Sequence, residues 1–298
     1  MAPDVPRLMR IATVASMTVA VVLIGAKTAA WLLTESVSML SSLVDSSLDF
    51  IASLVTFLAV RQALTPADAD HRFGHGKAEA LAGLAQAGFI AASGGGLLLT
   101  VGDRLLHPHQ VQREAIGVAV SVLAIMLTLG LVMFQNYVVR RTGSIAIGAD
   151  SVHYKTDLVS NIAVGVAIFL SGYFHQPLID AGMAALVALY LLHGAWGVGR
   201  GSLDVLMDRE LPDADRRRII DIARRHPEVQ DTHDLRTRSS GLTRFIQLHV
   251  ELDPALSLTR AHEIGDQVEA DIQAAFPDAE LILHVDPYGV EERRVRFV

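Results

Sequence analysis

The sequence predicts a membrane all-α domain of six helices followed by a smaller cytoplasmic α/β domain, an open sheet in the order α-β-β-α-β. Three observations carry this. Hydrophobic residues make up 51% of the 298-residue chain and charged residues 19%, with a mean hydropathy of +0.38, more apolar than an ordinary soluble protein of this size. Six windows hold the ~20 mostly apolar residues that a helix needs to cross the hydrocarbon. Finally, 31 of the 57 charged side chains fall in residues 209–298, so a membrane part (1–208) precedes a soluble part (209–298).

The predicted spans are residues 11–33, 37–60, 79–101, 115–138, 145–171 and 178–199. Arg7 and Arg10 precede the first, and with no small-residue cleavage site after it the segment reads as an uncleaved span. One side of the membrane collects Arg7, Arg10, Arg61, Arg72, Lys77, Arg140, Arg141 and Arg200, the other only Arg104 and Arg113. Both termini are therefore expected in the cytoplasm, with the chain multi-pass in the inner (plasma) membrane.

In the soluble part, residues 213–227 read as an amphipathic helix with acidic residues at its start and Pro227 at its end. Apolar and polar residues then alternate on both sides of Gly241, a hairpin pattern. A second helix covers 257–277, and "ELILHVDP" (280–287) is a closing strand.

Composition also excludes. A net charge of −7 speaks against a nucleic-acid partner. Without a cysteine there are no disulfides and no thiolate metal sites, which leaves histidine and carboxylate as the strong metal ligands.

Against that background Asp45 and Asp49 stand out, because a carboxylate at the bilayer centre costs roughly 2.5–3.5 kcal/mol on insertion scales. Their i, i+4 spacing puts both on one helix face, which Ser38, Ser42 and Ser53 extend. The fifth span carries a matching pair, His153 and Asp157, with Asn161 one turn on. Three carboxylates and one imidazole on two facing helices could form a tetrahedral site for a divalent metal. Ion pairing with Lys27 or Lys155, or a proton relay without metal, are the other readings of the same residues.

Two further groups follow. Asp68, His71 and His75 in the loop after the second span have the spacing of a three-ligand exposed site, or of a plain solvated loop. In the soluble part, His284 and Asp286 share one strand face, with His249 in a neighbouring strand pattern and His233 and His262 nearby. A carboxylate flanked by imidazoles could bridge two metals; surface histidines that happen to fall there are the alternative.

Taken together, these residues resemble the cation diffusion facilitator family, and most closely its bacterial zinc and ferrous-iron efflux branch, over essentially the whole chain. The resemblance implies a homodimeric secondary transporter, not an enzyme, that exports divalent metal from the cytoplasm by proton antiport with alternating access. It implies a transport site of Asp45, Asp49, His153 and Asp157, a loop site of Asp68, His71 and His75, and a binuclear cytoplasmic site of His233, His249, His262, His284 and Asp286. An interdomain salt bridge would join Lys77 and Asp208. One histidine among three carboxylates implies Zn²⁺ as cargo and as structural or regulatory ion, with Cd²⁺ and Fe²⁺ as companions. The partners implied are a second copy, membrane lipid, metal and protons. A manganese exporter of the same family and a membrane-bound metal sensor without flux are the alternatives. An enzyme fits poorly, since four protein ligands leave zinc no open position for water.

Overall fold

A computed structural model describes residues 5–35, 37–106, 115–174 and 178–290. His107, His109, Arg113 and His175 lie outside the described residues. The chain divides into two compact units, Met1–Leu203 and Asp204–Val298.

The first unit consists of six long helices: α1 (Val5–Thr34), α2 (Val37–Ala63), α3 (Ala78–Leu106), α4 (Ala115–Thr142), α5 (Ile145–Phe174) and α6 (Leu178–Leu206). Each runs past the predicted window at one end or both. At 1.5 Å per residue, a 30-residue helix such as α1 spans about 45 Å, longer than the hydrocarbon is thick. Among the described residues, five stretches are long and apolar enough to cross a membrane on length and composition, in α1, α2, α3, α4 and α6. α5 has the length too, and carries Asp150, Lys155 and Asp157 in its first half.

α1 packs on α2 and α4, α4 on α5, and α3 on both α2 and α5. Small residues permit this, Ala12, Ala20, Ala52, Ala80 and Ala146 all being buried. Large apolar side chains point outward instead, with Leu99, Leu33 and Met133 at 78%, 76% and 66% exposure, the inverse of a soluble bundle and the pattern lipid requires. A glycine run in α3 reads from sequence as a close-packing surface, and one member behaves so. A Cβ at Gly94 would stand 3.2 Å from Leu191 and Leu192 of α6, whereas Gly95 and Gly96 have nothing within 4 Å.

The second unit contains α7 (Asp213–Ala223), β1 (Asp231–Ser240), β2 (Thr243–Leu252), α8 (Leu258–Ala275) and β3 (Ala279–Pro287), the predicted order. β1 and β2 form an antiparallel hairpin in which Ser240 pairs with Thr243, and Gly241 takes the positive φ (59°) that this tight turn requires. β3 adds parallel to β2. Ile246, Leu248, Val250 and Leu252 alternate onto one sheet face and meet Ile219 and Ile222 of α7 and Ile264, Val268 and Ile272 of α8. Both helices thus cover a single face. The odd-numbered β2 residues, His249 among them, point the other way.

Candidate metal centres

Among the described residues, three groups of histidines and carboxylates have ligand atoms within 4.8 Å of one another: Asp49, His153 and Asp157; Asp68, His71 and His75; and His233, His249 and Asp286. Ligand atoms held about 2.0 Å from a tetrahedral zinc ion stand about 3.3 Å apart, so the separations inside each group test whether it fits such an ion.

In the membrane unit, Asp49 of α2 and His153 of α5 are 3.2 Å apart (Oδ1 to Nε2), and His153 Nε2 lies 3.6 Å from Asp157 Oδ2. Both distances match the edge of a zinc tetrahedron. His153 is 4% exposed, and its Nδ1 and Asp157 Oδ2 lack hydrogen-bond partners. Asp45 falls outside this tight group but lines the same cavity of about 590 Å³ as Asp49, His153 and Asp157. Lys27 of α1 lines the same cavity and interacts through its charge with Asp49, Asp45 and Asp157. Lys27 Nζ donates to Ser42 O at 3.0 Å and to Ser46 Oγ at 2.6 Å, and Lys155 is exposed on α5.

The second group sits in the loop between α2 and α3. Asp68 Oδ1 accepts the backbone N–H of His71 at 2.6 Å and of Asp70 at 3.0 Å, so its carboxylate is fixed before any ion binds. These backbone donors, His71 first, hold the Asp68 carboxyl below its ordinary value. Asp68 Oδ1 lies 3.3 Å from His71 Nδ1, and Oδ2 lies 3.4 Å from His75 Nε2. The buried Nδ1 of His75 has no hydrogen-bond partner.

In the sheet unit, strand register places His233 of β1 opposite His249 of β2, and His249 opposite His284 of β3. Three imidazoles therefore share one rung on the face that α7 and α8 leave open, with ring centroids 5.0 and 4.7 Å apart. Asp286, 4% exposed, stands beneath them. Its Oδ2 lies 2.8 Å from His249 Nδ1 and 3.4 Å from His233 Nε2, while Oδ1 lies 3.0 Å from His284 Nε2. Each carboxylate oxygen thus serves a different imidazole, the arrangement a bridging ligand needs. The chemistry fits a structural divalent metal: nitrogen and oxygen donors, and a buried His233 Nδ1 that has no hydrogen bond and lies 3.8 Å from Asp234 Oδ2. His262 is separate, exposed on α8 and 3.6 Å from Asp266.

Sequence reasoning missed Glu251, which is 7% exposed and 3.4 Å from His233 Nε2. The signal was available, because Glu251 lies two residues beyond His249 on the same strand face and is paired in register with Asp286. The predicted salt-bridge residues fall at element boundaries. Lys77 immediately precedes α3, and Asp208 follows α6 with φ 56° and lies 3.4 Å from Arg238.

Comparison with known proteins gives the family. The profile described as the cation efflux transmembrane domain matches residues 13–207, and that of the cation efflux protein cytoplasmic domain matches residues 211–288. The cation-efflux pump FieF of Shewanella oneidensis is 49% identical over 282 residues, 95% of either chain. FieF of Serratia proteamaculans is 45% identical, covering 97% of this chain and 96% of its own. The metal-bound C-terminal domain of the CzcD transporter from Thermotoga maritima aligns at 29% identity over 26% of this chain and 93% of its own, with a TM-score of 0.26. With both profiles matched in sequence order and relatives similar from end to end, this integral membrane protein belongs to the cation efflux family, whose members are transporters and not enzymes.

Proposed function

We propose that this protein exports zinc from the cytoplasm in exchange for protons, with Asp45, Asp49, His153 and Asp157 as the transport site. The observation that carries the proposal is the convergence of Asp49, His153 and Asp157 at tetrahedral separations within an apolar helix bundle. With three ionised carboxylates and a neutral imidazole the empty site holds about −3, which a dication reduces to about −1. All four ligands must be deprotonated to coordinate, so protons and metal compete for the same atoms. An acidic exterior therefore displaces the metal and the protons return inward. Imidazole among the donors favours zinc over manganese, with cadmium and ferrous iron as secondary cargo.

In this reading the chain works as a homodimer in the inner membrane with both termini cytoplasmic, and Lys77 and Asp208 form an interdomain pair. The loop group Asp68, His71 and His75 binds a further ion. The group of His233, His249, His284 and Asp286, with His262, takes structural or regulatory zinc that makes transport respond to cytoplasmic metal. The deciding experiment is zinc flux in sealed proteoliposomes with and without an imposed pH gradient. Flux that follows the gradient in the wild type and is lost in Asp157→Ala supports the proposal. Metal binding without flux would make the protein a sensor.

A further inference from the structure

We propose that Asp150 is the hub of a polar lock that closes the membrane site toward the termini face, meaning the face of the bundle where α1 starts. The lock must open for metal to enter from that face, an inference that rests on the transport reading above.

Asp150, on α5, is 1% exposed. Its Oδ2 accepts from Ser16 Oγ of α1 at 2.8 Å and from Gln135 Nε2 of α4 at 2.6 Å. Its Oδ1 accepts from Gln86 Nε2 of α3 at 3.2 Å and from Ser53 Oγ of α2 at 3.4 Å. Four helices thus donate to one carboxylate on a fifth. Ser53 also bonds Tyr154 at 2.8 Å, and Gln86 donates to Thr56 at 2.9 Å. Among the described residues no lysine or arginine pairs with Asp150, so the partners that hold this buried carboxyl group are serine and glutamine side chains.

The position of this network gives it a role. One face of the bundle holds the starts of α1, α3 and α5 and the ends of α2 and α4. Glu79 at the start of α3, which accepts from Ser144 just before α5, fixes that alignment. On α1, α2, α3 and α5 the network lies nearer this face than the metal ligands or the cavity wall, Ser16 preceding Lys27 on α1. Asp150 precedes His153 on α5, Ser53 follows Asp49 on α2, and Gln86 precedes Phe89 on α3. The cavity extends the opposite way, along Ser42, Ser93, Thr100 and Asn161. The metal group is therefore open away from the termini and floored by the Asp150 network.

Such a floor suits a two-state gate. In a low-dielectric interior a carboxylate with four donors is firmly held, and losing part of the set leaves it buried and undersolvated. Partial opening is thus worse than either closed or fully open. The amide oxygens of Gln86 and Gln135 are buried without partners, so both amides can turn to accept hydrogen bonds. An amide at position 150 therefore keeps the lock closed, whereas alanine removes the hub.

The chain has no cysteine, so a single Ser93→Cys on the cavity wall reports access without background. In sealed vesicles, the ratio of its labelling by an impermeant thiol reagent from the two faces is measured, with a tag at the start of α1 marking the termini face. Labelling in the Ser93→Cys parent is expected mainly from the opposite face. Asp150→Ala is expected to shift the ratio about tenfold toward the termini face, the weight of one charge-assisted hydrogen bond. Ser16→Ala with Gln135→Met, which halves the donor set, is expected to shift it in the same direction, and Asp150→Asn to leave it in place. An unchanged ratio in folded Asp150→Ala overturns the proposal, and so does opening by Asp150→Asn as large as that by alanine. Should Asp150→Ala not fold, an unchanged ratio in the double variant overturns it. The readout needs no metal flux, so a wild type without flux would count against the transport reading alone.

Discussion

Asp49 Oδ1 and His153 Nε2 lie 3.2 Å apart across the α2–α5 interface. That separation is the edge of a zinc tetrahedron. It makes the two residues parts of one site, and Asp49→Ala is expected to reduce proton-driven zinc flux to the level of empty vesicles. A variant that retains full pH-driven flux would remove Asp49 from the transport site.

His153 is the one nitrogen donor of the proposed site, and replacing it alters selectivity more than occupancy. Oxygen-only sites suit manganese, and imidazole suits zinc. Relative to the wild type, His153→Asp should raise the manganese-to-zinc transport ratio by about 10- to 100-fold, the scale of even an outer-sphere partner's effect on metal affinity. Competition flux with both ions present measures the ratio directly.

The reach of the sequence differed between the two units. The pairs Asp45–Asp49 and His153–Asp157 were legible because helical spacing is local, and two i, i+4 pairs among apolar residues stand out from their background. Asp150 was not, although it lies one turn before His153 on the same helix. Gln86 and Gln135, two of its donors, are amides in apolar windows, and nothing local says that they face a carboxylate 64 and 15 residues away. In the sheet, the shared face of His284 and Asp286 followed from strand alternation. The rung joining His233, His249 and His284 did not, because register is a long-range property. Here it also depends on an irregularity between His233 and Arg236, where Asp234 takes a φ of 48°.

That rung depends on Asp286. Asp286→Asn is expected to lower the number of zinc ions bound per chain, since the amide is neutral and keeps only one oxygen, so it cannot ligate beside His284 and beside His249 and His233 at once. Transport at saturating zinc should persist, because the membrane ligands are untouched. Equilibrium dialysis with metal analysis, set beside flux, separates the two effects. An unchanged zinc count would show that the imidazoles bind without their carboxylate.

Acid should affect the loop group late. The folded value of Asp68 lies below its ordinary 3.8 because the backbone N–H groups of His71 and Asp70 stabilise the carboxylate. A depressed carboxyl contributes its stability above the unfolded value and loses it as pH falls through the folded value. The Asp68 turn should therefore stay intact from neutral pH to about pH 4, and the His71 amide resonance should titrate with a midpoint below 3.8. Loss of loop metal at milder acidity would then come from protons on the other ligands. A midpoint above 3.8 would contradict the turn geometry.

Two glycines of α3 should respond oppositely to the same substitution. A Cβ at Gly83 would stand 2.3 Å from Ser202 Oγ and 3.2 Å from a methyl of Ile145. Ser202 is fully buried, so its hydroxyl has little room to turn, and accommodation requires α3 and α6 to part slightly. Gly83→Ala is expected to destabilise the membrane unit by about 1–3 kcal/mol, the ordinary cost of overpacking. Gly95 has open space where a Cβ would go, so Gly95→Ala gains only the helix propensity of alanine, up to about 1 kcal/mol. In detergent thermal melts the first variant should fall below the wild type and the second should match or exceed it. If both fell together, helix contact at Gly83 would not be the reason. If neither moved, α3 and α6 would not pack as closely as a glycine at position 83 allows.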